Sequence, residues 1–191
     1  MTRALLVAAL LVGTSSIAAA DTPVGIGGYA GLGIGPGAGL SFDGDGVQEV
    51  GPAGRSGQIF GGIRFKGAPI LSRFGVEASA TVGSFVVNKS IGYDSRTLAL
   101  AAKYSHPLGG GMDLFGKLGI AHTSANTDSL AATDVDGGQG LIAVGAEYRI
   151  PMKVQLSVLI DYSIYIGSLD SSRGSLDGTM RFWKLGFSLG F

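Results

Sequence analysis

The sequence predicts an all-β chain, an eight-stranded antiparallel up-and-down transmembrane β-barrel. Three observations carry that expectation. Eight stretches place an apolar residue at every second position, the period of a strand with one apolar and one polar face. Their connections alternate long and short, the rhythm of a spanning barrel with tight turns on one side and longer loops on the other. The chain is 46% hydrophobic and only 15% charged, which is sparse cover for a soluble surface.

Residues 1–20 read as a cleaved signal peptide and 21–191 as the barrel domain. Arg3 supplies a positive start, Ala4 to Val12 a short apolar run, and Ala18-Ala19-Ala20 a small-residue cleavage site before Asp21. A membrane anchor needs about 20 apolar residues, and Gly13-Thr14-Ser15-Ser16 interrupts too early. The first strand, Val24–Ile34, sets Val24, Ile26, Ala30, Leu32 and Ile34 against Gly25, Gly27, Tyr29, Gly31 and Gly33, with Gly28 the blank on the apolar face. Pro36 belongs at a strand end or a bulge, so a long loop is expected from there through Ser56.

The second strand, Gln58–Lys66, carries Ile59, Ile63 and Phe65 opposite Gln58, Arg64 and Lys66, and Gly67-Ala68-Pro69 is a short turn. Arg73–Gly83 alternates Phe74, Val76, Ala78, Ala80 and Val82 with Arg73, Glu77, Ser79 and Thr81. A loop around Asn88-Lys89-Ser90 leads to Ser95–Ser105, with Leu98, Leu100, Ala102 and Tyr104 opposite Thr97 and Lys103. His106-Pro107 and the following glycines are expected to turn. Leu114–His122 sets Leu114, Leu118 and Ile120 against Phe115 and Lys117, and Thr123–Gly138 is a third loop. Leu141–Ile150 sets Ile142, Val144, Ala146, Tyr148 and Ile150 against Gly145, Glu147 and Arg149. After Pro151-Met152, Val154–Ile166 alternates longest, with Asp161 on its polar face, and Gly167–Gly178 is a fourth loop. The last strand, Thr179–Phe191, sets Trp183, Leu185, Phe187, Leu189 and Phe191 against Lys184, Ser188 and glycines. Apolar faces outward, with Phe74, Tyr104, Tyr148 and Phe191 near one rim and Trp183 and Tyr162 farther up, make the aromatic girdles of a barrel in lipid.

Polar faces then converge inside. They bring Arg64, Glu77, Lys103, Lys117, Glu147, Arg149, Asp161 and Lys184 into a lumen only wide enough for side chains. Charges there must pair, because a lone buried ion costs several kcal/mol. Glu77, Lys117, Glu147 and Lys184 are the set expected to interlock.

Composition excludes several functions. A formal net charge of +0 leaves no basic footprint for nucleic acid. With no cysteine there is no disulfide framework, thiolate metal site or cysteine nucleophile. The 34 glycines, far above the usual share of about 7%, suit a narrow barrel interior. Asp43-Gly44-Asp45-Gly46 and Asp134-Val135-Asp136-Gly137 offer oxygen ligands at alternate positions, yet neither continues to a closing glutamate, and both read as turns. No metal and no cofactor is expected. A rival fold, a soluble periplasmic barrel of the lipocalin type, would put the apolar faces inside.

The segments RFGVEAS (73–79), DLFGKLGIA (113–121) and the closing LGFSLGF resemble the OmpA-like family of eight-stranded outer-membrane barrels. The likeness covers nearly all of residues 22–191 and is to a barrel-only member, with no peptidoglycan-binding domain expected. The resemblance implies an integral protein of a Gram-negative outer membrane, a monomer in contact with outer-membrane lipids and lipopolysaccharide. The barrel-assembly machinery would read Trp183, Leu185, Phe187, Leu189 and Phe191 as its signal. It implies a non-enzymatic structural or surface-interaction role: envelope integrity, adhesion, or host ligands at the loops. Inward ion pairs would plug the lumen. The alternative is a narrow gated pore. A third reading starts from His122-Thr123-Ser124, which resembles the His-x-Ser of the outer-membrane lipid A deacylases. Ala125 stands where that family has asparagine, and the orienting third member is missing.

Overall fold

The computed structural model describes residues 25–37, 39–42, 52–67, 69–87, 91–127, 134–171 and 174–191. The signal peptide, Asp43–Gly46 and Asn88-Lys89-Ser90 lie outside them. Among the described residues nine strands form one antiparallel sheet: β1 (Gly25–Pro36), β2 (Gly39–Phe42), β3 (Pro52–Lys66), β4 (Phe74–Val87), β5 (Ile91–Gly109), β6 (Met112–Asn126), β7 (Val135–Ile150), β8 (Gln155–Ser171) and β9 (Gly174–Gly190). Each pairs with its sequence neighbour from β3 onward, and β1 and β2 both pair with β9, which closes the sheet. β1 and β2 are two pieces of one stave, so the barrel has eight.

The register fixes its shape. Starting at Tyr29, the partners run Gly62, Glu77, Ala101, Gly119, Leu141, Tyr165 and Met180. Tyr29 itself faces Gly190 across the seam, ten residues beyond Met180. Eight staves staggered by ten residues tilt by roughly 43°, within the usual barrel range, and leave a backbone radius of roughly 8 Å.

The two faces separate by environment as the alternation requires. Ile34 is 70% exposed and Trp183 54%, whereas Lys184 is 1% exposed and Asp161 0%. Apolar residues outside and charges inside is the inverse of a soluble barrel, and it rules out the lipocalin-type arrangement. Phe74 packs against Tyr104 with ring centroids 5.2 Å apart, and Tyr162 against Trp183 at 4.4 Å, both pairs tilted.

Several boundaries depart from the alternation. The stave expected to end at Pro36 resumes as β2, and β3 starts at Pro52, six residues before Gln58. The expected fourth loop is largely a ladder, with Ser168 opposite Asp177 and Leu169 opposite Leu176. The alternation puts Asp134-Val135-Asp136-Gly137 in a loop, but β7 begins at Val135 and sets Asp136 opposite Ser124 and Asp170. His106-Pro107 lies inside β5, and the turn is made by Gly109, Gly110 and Gly111 at φ 93°, 62° and 82°, a run of left-handed backbone that glycine alone adopts freely. The cause is common to all of these. Beyond the lipid neither face needs apolar residues, so the backbone ladder continues after the hydrophobic signal has stopped.

Candidate functional site: the luminal ion network

Each of the eight staves contributes to a network of polar side chains in the lower half of the lumen. They are Tyr29 (β1), Arg64 (β3), Glu77 (β4), Lys103 (β5), Lys117 (β6), Glu147 (β7), Asp161 (β8) and Lys184 (β9). Inward parity puts them there. The glycines around them make room, as at Gly31, where an added Cβ would come within 2.3 Å of both the Phe60 ring and the Phe187 carbonyl.

Lys117 is the centre of one cluster. Its Nζ donates to Glu77 Oε1 at 2.7 Å and to Asp161 Oδ2 at 2.6 Å. The Tyr29 hydroxyl donates to the other Glu77 oxygen at 2.9 Å, and Ser163 donates to Asp161. Glu147 is the centre of the second cluster: its Oε2 accepts from Lys103 at 3.2 Å and from Arg64 at 3.1 Å. Lys103 links the two, 3.8 Å from Glu77. The cations also lie against aromatic faces. Lys103 is 4.4 Å from the Phe115 centroid and 5.0 Å from that of Tyr29, and Lys117 is 4.9 Å from Phe115. A desolvated ammonium against such a ring gains about 2 kcal/mol.

Lys117 and Glu147, expected to interlock, belong to different clusters. The register explains it: Lys117 pairs with Ala143 and Glu147 with Asp113, so Glu147 lies two inward positions nearer the turns. Lys184 is attached weakly. Its Nζ is 3.9 Å from Asp161, has no hydrogen-bond partner, and lies 5.6 Å from the Phe182 centroid. Arg149 stands apart at the turn end, where Asp113 accepts from its Nη2 at 2.7 and 2.6 Å through both carboxylate oxygens. Sequence reasoning missed Asp113, and it did not assign Tyr29, Phe60 and Phe115 to the network. The available signal was a bulky aromatic on a polar or glycine face.

Above the ions, toward the loop end, the lumen holds an apolar layer. Tyr165, Met180, Phe182, Leu169, Val135 and Leu141 are buried there with several alanines, and Tyr165 meets Phe182 edge to face at 5.6 Å. His122 is exposed on the outer face of β6, two residues from Ser124 with the inward Thr123 between them. Thr123 instead donates to Gln139 at 2.7 Å inside the barrel.

A closed eight-stave barrel, apolar toward its surroundings and ion-paired within, is the architecture of proteins that cross an outer membrane with strands. The chain matches the family described as outer membrane protein beta-barrel domain over residues 5–191 and belongs to it. Its place is therefore the outer membrane. Similar solved structures include the Neisserial surface protein A, with TM-score 0.63 and 12% identity over 87% of this chain and 97% of that one. The attachment invasion locus protein Ail of Yersinia pestis gives 0.52 and 19% over 86% and 98%. OprG of Pseudomonas aeruginosa gives 0.52 and 13% over 87% and 94%. No curated protein matches the chain.

Proposed function

We infer that this is a structural and surface-interaction barrel that does not conduct. Residues 1–20 direct export and are removed, and residues 21–191 are inserted into a Gram-negative outer membrane by the barrel-assembly machinery as a monomer. The observation that carries the closed lumen is the network of Lys117, Glu77, Asp161, Lys103, Glu147 and Arg64, held at 2.6 to 3.8 Å and capped by the apolar layer. An ion entering would have to displace paired charges and then cross buried aromatic rings. The interaction role is assigned to the loop end, where strand ladders rise past the apolar band. Two fold relatives support that assignment: one is by name a surface protein, and Ail has been solved with the heparin analogue sucrose octasulfate. The hydrolase reading is set aside because a His-Ser pair needs an orienting carboxylate, and none is hydrogen-bonded to His122 among the described residues.

Planar-bilayer recording tests the closed lumen. The expected trace shows no steady unitary current from the wild type. Steady channels whose conductance changes in Lys117→Met or Glu147→Gln would establish the gated pore instead.

A further inference from the structure

On four strands the outward apolar series ends in a basic side chain at the loop end. β3 passes from Ile63 and Ile59 to Arg55, β5 from Leu100 and Leu98 to Arg96, β6 from Leu118 and Ile120 to His122, and β9 from Leu185 and Trp183 to Arg181. All four are exposed, and the ion pairs of the described residues involve none of them. An outward arginine at that level meets the headgroups of the outer leaflet.

Arg55 and Arg181 differ from the other two by what lies beneath them. Ile34 faces Leu185, so regular pairing would bring Gly39 opposite Met180, yet Gly39 faces Arg181. One extra residue therefore sits between Ile34 and Gly39, a bulge that bends the stave. Gly35 is drawn so close to β9 that an added Cβ would overlap the Trp183 carbonyl. A groove of about 610 Å³ lies at this bulge, lined by the outward Ile34, Pro36, Arg55, Ile160, Trp183 and Leu185 and reaching the inward Ser56 and Lys184. Arg181, two residues loopward of Trp183 on the same face of β9, flanks it. That volume is in the range of ligand sites, about 300–1,000 Å³. Arg55 pairs with Pro36 on one flank of the bulge, and Arg181 with Gly39 on the other.

We propose that this groove holds one phosphorylated, acylated lipid of the outer leaflet. Its phosphate lies between Arg55 and Arg181 and an acyl chain lies against Trp183 and Leu185. Any lipid can fill an apolar groove, but guanidinium groups at its head select phosphate, which they bind in bidentate fashion. The proposal rests on the outer-membrane placement and is independent of what the loops bind.

Trp183, the one tryptophan of the chain, lines the groove and reports on it. Protein folded into phosphatidylcholine vesicles would be titrated with a minor share of brominated-chain phosphatidic acid, and separately with brominated-chain phosphatidylcholine. The expected result is stronger quenching of Trp183 by the phosphatidic acid, with apparent affinity falling about fivefold for each of Arg55→Gln and Arg181→Gln. Arg96→Gln, on the far side of the barrel, should leave it unchanged. Heat-modifiable gel mobility verifies that every variant is folded. Equal quenching by the two lipids, or the same loss in Arg96→Gln as in the groove variants, would overturn the site.

Discussion

Glu77 and Lys184 sit in the same lumen, and removing their charges should have opposite consequences. Four cations, Arg64, Lys103, Lys117 and Lys184, face three carboxylates, Glu77, Glu147 and Asp161, so the group carries one positive charge in excess. Glu77→Gln keeps the shape and an oxygen for Tyr29, but it takes the carboxylate from Lys117 at 2.7 Å and from Lys103 at 3.8 Å. The excess doubles in a buried space. Removing one partner of a buried pair costs about 3–5 kcal/mol. Arg64 tempers this little, since its side chain is 25% exposed and partly screened. At about 2–4 °C per kcal/mol for a chain of this length, the midpoint should fall by about 6–20 °C. Lys184→Met removes the excess instead. The lysine makes no hydrogen bond and lies 6.0 and 5.6 Å from the Tyr165 and Phe182 centroids, surroundings that suit a thioether. Its stability should stay within about 1 kcal/mol of wild type or rise, as for buried ions replaced by apolar side chains. Urea titrations in vesicles, read by heat-modifiable mobility in both directions, give the two values. Equal losses in the two variants, or a Glu77→Gln cost below about 1 kcal/mol, would refute the charge accounting.

Two further variants probe packing. Gly31 and Gly33 share the inward face of β1, yet an added Cβ at Gly31 meets the Phe187 carbonyl and the Phe60 ring at 2.3 Å, while at Gly33 the nearest atoms are 3.7 Å away. Gly33→Ala should shift the urea midpoint by no more than about 0.5 kcal/mol, and Gly31→Ala should cost about 1–3 kcal/mol as overpacking; similar values for both would contradict this packing of the lumen. At the seam, Phe191 exchanges 2.9 Å backbone hydrogen bonds with Gly28 in both directions, and its ring fills the space where a Gly28 side chain would be. Phe191→Ala should therefore weaken closure by about 1 kcal/mol and slow the appearance of the fast-migrating folded band; an unchanged time course would exclude the ring as a seam element.

What the sequence disclosed follows from where lipid is. Between Leu98 and Tyr104, or Trp183 and Leu189, each residue faces either lipid or lumen, so the period of two is strict and the inward charges could be named from parity alone. Pro52–Gly57 and Gly174–Asp177 lie past the apolar band, where pairing continues without that contrast, and they read as loop. Parity also says nothing about level. Whether Lys117 meets Glu147 or Asp161 depends on a stagger of ten residues around the barrel, a property of all eight staves together. The bulge was half legible: Pro36 signals a disturbance, but only the pairing of Gly39 with Arg181 shows that the stave resumes after it.

The inferred plug has two barriers in series, and they depend on different physics. The ion network, with the Tyr29 hydroxyl, draws on every stave, so it ties the wall together and its loss is felt as stability. On this reading the layer of Tyr165, Met180, Phe182 and Leu169 buried above it is the second barrier, and it does not depend on the charges below. A charge variant that destabilises the barrel without opening it is then the expected combination. Conductance should need the rings to be thinned as well. Silence from Glu77→Gln in a bilayer would consequently speak for the layered plug only beside its lowered urea midpoint. The same silence with wild-type stability would mean that Glu77 carries no load in the lumen at all.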